Sequence, residues 1–66
     1  MRVFLNGESK TIGDAVTVSQ LLCDLGFGER RVAVEINEEI VPRSQHSAHR
    51  LRHDDRIEVV RAVGGG

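Results

Sequence analysis

The stretch MRVFLNGESKTI, residues 1–12, sets the first part of the fold because two strand-like segments flank an Asn-Gly pair. Side chains alternate along an extended chain, so Val3 and Leu5 are expected to face the same side. Asn6-Gly7 is typical of a two-residue type I′ turn, which requires positive φ at both central positions. We therefore expect residues 8–12 to return as the second strand of an antiparallel hairpin.

A helix is predicted next, over residues 18–25. Its apolar residues recur at the spacing i, i+3, i+4 and i+7, which places them on one helical face. Thr17 and Gln20 match a capping box, in which each side chain bonds a backbone N–H of the first turn. Gly26 suits the left-handed residue that often ends a helix.

Three further strands complete the pattern. Residues 31–36 alternate, with Val32, Val34 and Ile36 inward. Asn37-Glu38 resembles a second turn, and Pro42 stops a short strand at residues 39–41. Asp54-Asp55 marks a turn before the last strand, whose inward residues are Ile57 and Val59.

This order of elements predicts an α+β domain over residues 1–66. One helix packs on a four- or five-stranded mixed sheet, and the first and last strands are parallel neighbours at its centre. That is the β-grasp, or ubiquitin-like, arrangement. The flexible tail would begin at about residue 63.

The size and charge of the chain narrow the function. A domain of 66 residues has little room for an enclosed ligand pocket of about 300–1,000 Å³, which favours a carrier or binding module over a self-sufficient enzyme. No segment resembles a membrane span or a signal peptide, so we expect a soluble cytoplasmic protein. The net charge of −1 and the scarcity of aromatic residues disfavour nucleic acid.

Arginines concentrate in the last third of the chain. They are either solvated or available to an acidic protein partner, and they are Arg43, Arg50, Arg52, Arg56 and Arg61.

The sequence ends in three glycines, Gly64, Gly65 and Gly66, directly after a strand-like run. Because glycine has no Cβ, a Gly-Gly carboxylate on a narrow arm can be threaded into the active site of another enzyme. The terminal carboxylate is therefore a candidate reactive group. A frayed polar tail is the alternative.

Cysteine and histidine offer weaker candidates. Cys23 is the only cysteine, so no internal disulfide can form. It falls off the apolar helical stripe, beside Asp24, whose carboxylate disfavours a thiolate. His46, His49 and His53 lack a second cysteine or a carboxylate cluster that would complete a zinc site, so we expect solvated surface histidines and no metal.

Four stretches and the terminal glycines together resemble the small sulfur carriers of thiamine biosynthesis, over essentially the whole chain. The stretches are residues 2–7, 33–37, 40–43 and 55–60. The most specific pieces are Val41-Pro42-Arg43 and the glycine terminus. Two features depart from the family pattern: His53-Asp54-Asp55 replaces Asp-Gly-Asp before the last strand, and a third glycine lengthens the usual end.

The resemblance implies that the Gly66 carboxylate is adenylated by an ATP-dependent activating enzyme, which also uses magnesium. The carboxylate then becomes a thiocarboxylate, with sulfur from a donor system such as a cysteine desulfurase, and the sulfur passes to thiazole synthase. The carrier itself would bind no cofactor and catalyse no reaction. Two alternatives share the glycine end: the sulfur carrier of molybdenum-cofactor synthesis and a ubiquitin-like protein modifier.

A docking surface is predicted on the sheet face that the helix leaves open. Phe4 on the first strand and Val60 and Ala62 on the last strand have outward parity, and Arg56 and Arg61 would lie at the rim. A contiguous apolar patch often marks a partner site, although an incidental or self-associating patch is the alternative.

Overall fold

The computed structural model describes residues 1–27 and 31–61. Its elements are β1 (Arg2–Leu5), β2 (Glu8–Thr11), α1 (Val18–Asp24), β3 (Val32–Ile36), β4 (Glu39–Val41), a 3₁₀ turn (Arg43–Gln45) and β5 (Arg56–Arg61). The strands form a single five-stranded sheet in the order β2-β1-β5-β3-β4. β1 and β5 are parallel neighbours at the centre, and the other pairs are antiparallel. The β-grasp prediction is confirmed.

Two hairpins have turns with the same backbone geometry. Asn6 and Gly7 have φ of 48° and 85°, as the Asn-Gly pattern predicts. Asn37 and Glu38 have φ of 52° and 69°, so a glutamate occupies the position that glycine fills in the first turn. Because Cβ disfavours positive φ, the second turn is the more strained of the two.

Helix α1 begins as predicted. The Thr17 hydroxyl accepts the backbone N–H of Gln20, and the Gln20 side chain accepts the N–H of Thr17, so the capping box is complete. The segment after β4 supplies two more partners. The N–H of Val18 donates to the His49 carbonyl and the N–H of Ser19 to the His46 carbonyl, each at 3.0 Å. These bonds satisfy helix N–H groups that have no partner inside the helix.

The core lies between α1 and one face of the sheet. The inward positions predicted for β3 and β5 are confirmed, with Val32 half-buried at the edge. The predicted helical stripe is also inward, except that Leu25 is only partly buried and caps the helix. The buried apolar residues are Val3, Val18, Leu21, Leu22, Val34, Ile36, Val41, Leu51, Ile57 and Val59.

The expectation of three solvated histidines is wrong for His46. Its side chain is buried, with 7% of the residue exposed, and Nε2 donates to the Val41 carbonyl at 3.0 Å. This hydrogen bond therefore links the end of β4 to the segment whose carbonyls accept the first N–H groups of α1. His49 is half-buried and His53 is exposed.

The turn before β5 contains a left-handed aspartate and a buried aspartate. Asp54 adopts φ of 68°, the left-handed conformation expected of an aspartate that replaces glycine. Asp55 is buried, and its two carboxylate oxygens accept the Arg52 backbone N–H at 2.8 Å and Asn37 Nδ2 at 3.0 Å. Hydrogen bonds of this kind make burial of the carboxylate tolerable.

Candidate functional site

The candidate site is the C-terminal end of β5 and the outward face of the sheet around it. β5 pairs with β3 along its length, to the Val32–Arg61 pair. Residue 62 follows directly. The predicted site residues Ala62, Gly64, Gly65 and Gly66 lie outside the described residues and stay predictions.

The end of β5 is held on its other side by a side chain. The last residue pair of β1 with β5 is Leu5 with Ile57, and the Asn6 N–H donates to the Ile57 carbonyl at 2.8 Å. The Asn6 carboxamide then bonds Val59: Oδ1 accepts its N–H at 3.0 Å, and Nδ2 donates to its carbonyl at 3.4 Å. Asn6 thus continues the ladder one step beyond the end of β1.

Among residues 1–27 and 31–61, two large aliphatic side chains are exposed, and both lie on the outward face. Val60 is 58% exposed and Ile40 is 72% exposed. Ala33, opposite Val60 on β3, is also exposed. Ile40 lies on β4 opposite Glu35, which in turn pairs with Glu58 on β5. Since paired residues face the same side, two carboxylates lie next to each other between the two aliphatic side chains.

The structure separates Phe4 from Val60, so the predicted contiguity of that patch is wrong. Phe4 is half-buried and lies opposite Arg56, at the start of β5. Val60 is four residues further along, roughly 13 Å at the rise of a strand, and Glu58 lies between. The alternation of side chains correctly places Phe4 and Val60 on the outward face of the sheet. Alternation does not determine the register of two parallel strands.

Phe4 has charged neighbours of its own. The Arg2 guanidinium lies 5.2 Å from the centre of its ring, a cation–π distance. Phe4 and Arg56 also line an open depression of about 310 Å³ with Gly7 and residues 57 and 58. The predicted rim residues Arg56 and Arg61 are exposed.

An ion pair between Arg2 and Asp54 lies at the end of the sheet where β1 and β5 begin. Arg2 Nη2 and Nε lie 2.8 Å and 3.0 Å from Asp54 Oδ1. The Arg2 hydrogen bond is the main reason that the pKa of Asp54 lies below its ordinary value, and the charges of Arg2 and His53 act in the same direction. About half of each side chain is exposed, so water screens this pair.

The remaining candidates do not converge on a second site. Cys23 is a free, exposed thiol on α1, as predicted. Within residues 1–27 and 31–61, no three His, Cys, Asp or Glu residues are placed to hold a metal ion. No helix in the same residues is long and apolar enough to cross a membrane.

The sequence reasoning missed Ile40 and the contact made by Asn6. A three-residue strand has too few alternations to show which side chain points outward. A prediction that Val41 is in the core would have placed the adjacent Ile40 on the outward face. Asn6 carried a clear turn signal, and nothing in its neighbourhood indicated a partner 53 residues away.

Comparison with known proteins identifies the family. Residues 3–66 match the ThiS family model, a match that includes the glycine terminus. The sulfur carrier protein ThiS of Escherichia coli is 30% identical over 66 residues, which are the whole of both chains. The crystal structure of the thiamine biosynthesis protein ThiS from Geobacter metallireducens superposes with a TM-score of 0.86 at 29% identity, again over both whole chains.

The chain also resembles part of a larger protein. It is 41% identical over 66 residues to a thiazole synthase of Paramagnetospirillum magneticum. All of this chain is matched, but it spans only 20% of that relative's length. The family match, the full-length carrier relative and the shared fold agree, and the chain belongs to the ThiS family.

Proposed function

We propose that this protein carries sulfur on the C-terminal carboxylate of Gly66 for synthesis of the thiamine thiazole ring. The observation that carries the proposal is the family match over residues 3–66, because it extends through the glycine terminus. The protein acts as a co-substrate of partner enzymes and needs no bound cofactor of its own. We place it in the cytoplasm, with the ATP that its activation consumes.

The chemistry explains why activation is required. A carboxylate resists attack because its leaving group would be oxide. When the carboxylate attacks the α-phosphorus of ATP, pyrophosphate leaves and an acyl-adenylate forms, with magnesium and ATP held by the activating enzyme. A persulfide from the sulfur donor then displaces AMP. A thiol cleaves the remaining S–S bond and is itself oxidised, which leaves a thiocarboxylate. A cysteine desulfurase is a suitable source of the persulfide.

Thiazole synthase is the proposed acceptor of the sulfur. Thiazole synthases of P. magneticum and Magnetococcus marinus contain a segment that is similar to the whole of this chain. Joining carrier and acceptor in one polypeptide would keep the terminus of one near the active site of the other. This supports thiazole synthase as a partner of the separate chain.

The outward face around Val60 is the proposed docking surface for the activating enzyme. Val60 and Ile40 offer exposed apolar area, and Glu35 and Glu58 between them suit a partner with basic groups. Arg61 and Arg56 lie at opposite ends of β5 and would contact acidic groups at the rim. Burial of Val60 contributes about 1.5–3 kcal/mol.

Substitution tests the docking surface. Val60→Asp and Ile40→Asp should each weaken binding to the activating enzyme by about tenfold or more, the equivalent of about 1.4 kcal/mol. The thermal midpoint should hardly change because both side chains are exposed. Ser47→Asp adds the same charge at an exposed site on another part of the surface and is the matched control. Unaltered binding of both variants would remove this face from the interface.

ATP–pyrophosphate exchange tests the terminus, because exchange reports reversible formation of the acyl-adenylate. Deleting Gly66, or adding residues after it, should abolish exchange without disturbing the core. Gly65→Ala should impair transfer with little loss of stability. Cys23→Ser should exchange and accept sulfur like the wild type. Exchange by a blocked terminus, or loss of sulfur transfer in folded Cys23→Ser, would contradict the proposal.

A ubiquitin-like modifier is the rival use of the same carboxylate. It would leave stable adducts on lysines of other proteins, whereas the carrier leaves sulfur in place of oxygen at its own terminus.

A further inference from the structure

We propose that Asn6 is a positioning residue for the C-terminal tail: its carboxamide fixes the end of β5 and so sets the direction in which the reactive terminus leaves the sheet. This inference rests on the proposed function for its catalytic consequence. Its structural part stands on the contacts of Asn6 alone.

The first step concerns the residue at which the pairing of β5 with β1 ends. On the β1 side, the residue pairing ends at Leu5 with Ile57. On the β3 side it continues to Arg61. The last four residues of β5, which lead to the tail, therefore have a strand on only one side within the described part of the sheet.

The second step is that Asn6 replaces the missing strand. Oδ1 accepts the N–H of Val59 at 3.0 Å and Nδ2 donates to its carbonyl at 3.4 Å. A neighbouring strand residue would satisfy the same two backbone groups. Since the backbone bonds of alternate residues point to the same side of a strand, Val59 is the natural place for such a support.

The third step is that the turn alone does not require asparagine. The backbone at residue 6 has φ of 48°, which glycine and aspartate also adopt in two-residue turns. Asn6→Gly and Asn6→Asp therefore keep the turn. Glycine removes both bonds to Val59, and aspartate keeps only the acceptor, with its negative charge close to the Val59 carbonyl.

Positioning matters because the tail must reach an active site that it does not itself form. Small errors in the placement of a reacting group lower rates steeply. An end of β5 that moves about its β3 pairing would still dock through Val60, but would deliver the carboxylate less often in a reactive position.

The experiment has one readout that needs no partner. Amide hydrogen exchange at Val59 and NMR order parameters at Val60 and Arg61 are measured for wild type, Asn6→Gly, Asn6→Asp and the control Asn37→Gly. Asn6→Gly should lose Val59 protection and lower both order parameters, and Asn6→Asp should fall between it and the wild type. Asn37→Gly removes the corresponding contact at the start of β5. It should lower Val59 protection only as far as it lowers global stability, and it should leave both order parameters at their wild-type values.

The second readout is adenylation by the activating enzyme at a temperature where every variant is folded. Asn6→Gly should lower kcat about tenfold or more with little change in KM, because docking is retained and tail delivery is not. Asn6→Asp should be intermediate and Asn37→Gly close to wild type. Wild-type kcat in Asn6→Gly, or unchanged Val59 protection, would overturn the inference. A wild-type protein that is not adenylated at all would instead refute the proposed function and leave the exchange result to decide the role of Asn6.

Discussion

The two hairpin turns share a backbone geometry and differ in what their asparagines bond. Both Asn6 and Asn37 have positive φ, and both carboxamides accept a backbone N–H of β5 at 3.0 Å, at Val59 and Arg56 respectively. Asn37 also donates to the buried Asp55 carboxylate. Asn37 thus belongs to a network that stabilises the fold, whereas Asn6 bonds the strand end that leads to the tail.

The second turn position differs as well. Gly7 and Glu38 have φ of 85° and 69°, and a Cβ on Gly7 would meet no atom within 4 Å. Any cost of a side chain at residue 7 is therefore backbone strain and not steric overlap. Substitutions at Gly7 and Glu38 therefore test backbone strain. Substitutions at Asn6 and Asn37 test the hydrogen bonds to β5.

The largest stability effect is expected at Asn37. Asn37→Gly keeps positive φ but leaves Asp55 Oδ1 and the Arg56 N–H without the carboxamide. Hydrogen bonds to charged groups contribute about 1.5–3 kcal/mol and neutral ones about 0.5–1.5 kcal/mol, so we expect a loss of about 2–4 kcal/mol. Urea unfolding measures it. A loss no greater than that of Asn6→Gly would contradict the distinction between the two asparagines.

Gly7→Ala should have the next largest effect. A left-handed residue with a Cβ costs about 1–2 kcal/mol, and nothing near the Cβ adds to that cost. The thermal midpoint should fall while the hairpin pairs are retained, as cross-strand NMR contacts between β1 and β2 would show. Gly13→Ala is a useful control, since Gly13 is not among the residues with positive φ. Equal losses in the two variants would mean that φ is not the cause.

Glu38→Gly should change stability in the opposite direction. It relieves the strain of a positive-φ glutamate, but glycine adds about 0.5–1 kcal/mol of unfolded-state entropy. We expect a net gain of up to about 1 kcal/mol, measured by denaturant unfolding. Glu39→Gly, one residue later in β4, should be destabilising by comparison. A loss at Glu38 would mean that its side chain contributes more than its backbone strain costs.

These turns also show how far the sequence determines the structure. Asn6-Gly7, the Thr17 and Gln20 caps and the strand alternation all act through neighbouring residues. The turn, the capping box and the inward residues of β3 and β5 are confirmed. The outward parity of Ala62 lies outside the described residues. The prediction that His46 is a solvated histidine is wrong because its burial arises from contact with β4, which leaves no local pattern in the sequence.

The site could be predicted only in part, for the same reason. The outward face of β5 follows from alternation, so the exposure of Val60 was foreseen. The separation of Phe4 from Val60 depends on the register of β1 with β5, and the second bond of Asn6 depends on contacts between distant residues. Neither leaves a local pattern in the sequence.

The smallest effect is expected at the turn before β5, where Asp54 has positive φ and forms an exposed ion pair with Arg2. The folded pKa of Asp54 lies below its ordinary value, so its contribution to stability is present above that ordinary value and is lost as the pH falls through the folded pKa. Asn tolerates the same backbone conformation. Asp54→Asn should therefore reduce the decline of stability with acid slightly. Identical acid dependence in wild type and Asp54→Asn would remove the contribution of the Arg2 pair.

The central claim, that sulfur travels on the Gly66 carboxylate, is tested most directly by mass spectrometry of the intact protein purified from its native cell, followed by analysis of its C-terminal peptide. We predict a species in which one oxygen is replaced by sulfur, with the change located at Gly66. Sulfur located on Cys23, or a terminus found only in amide linkage to lysines of other proteins, would contradict the claim.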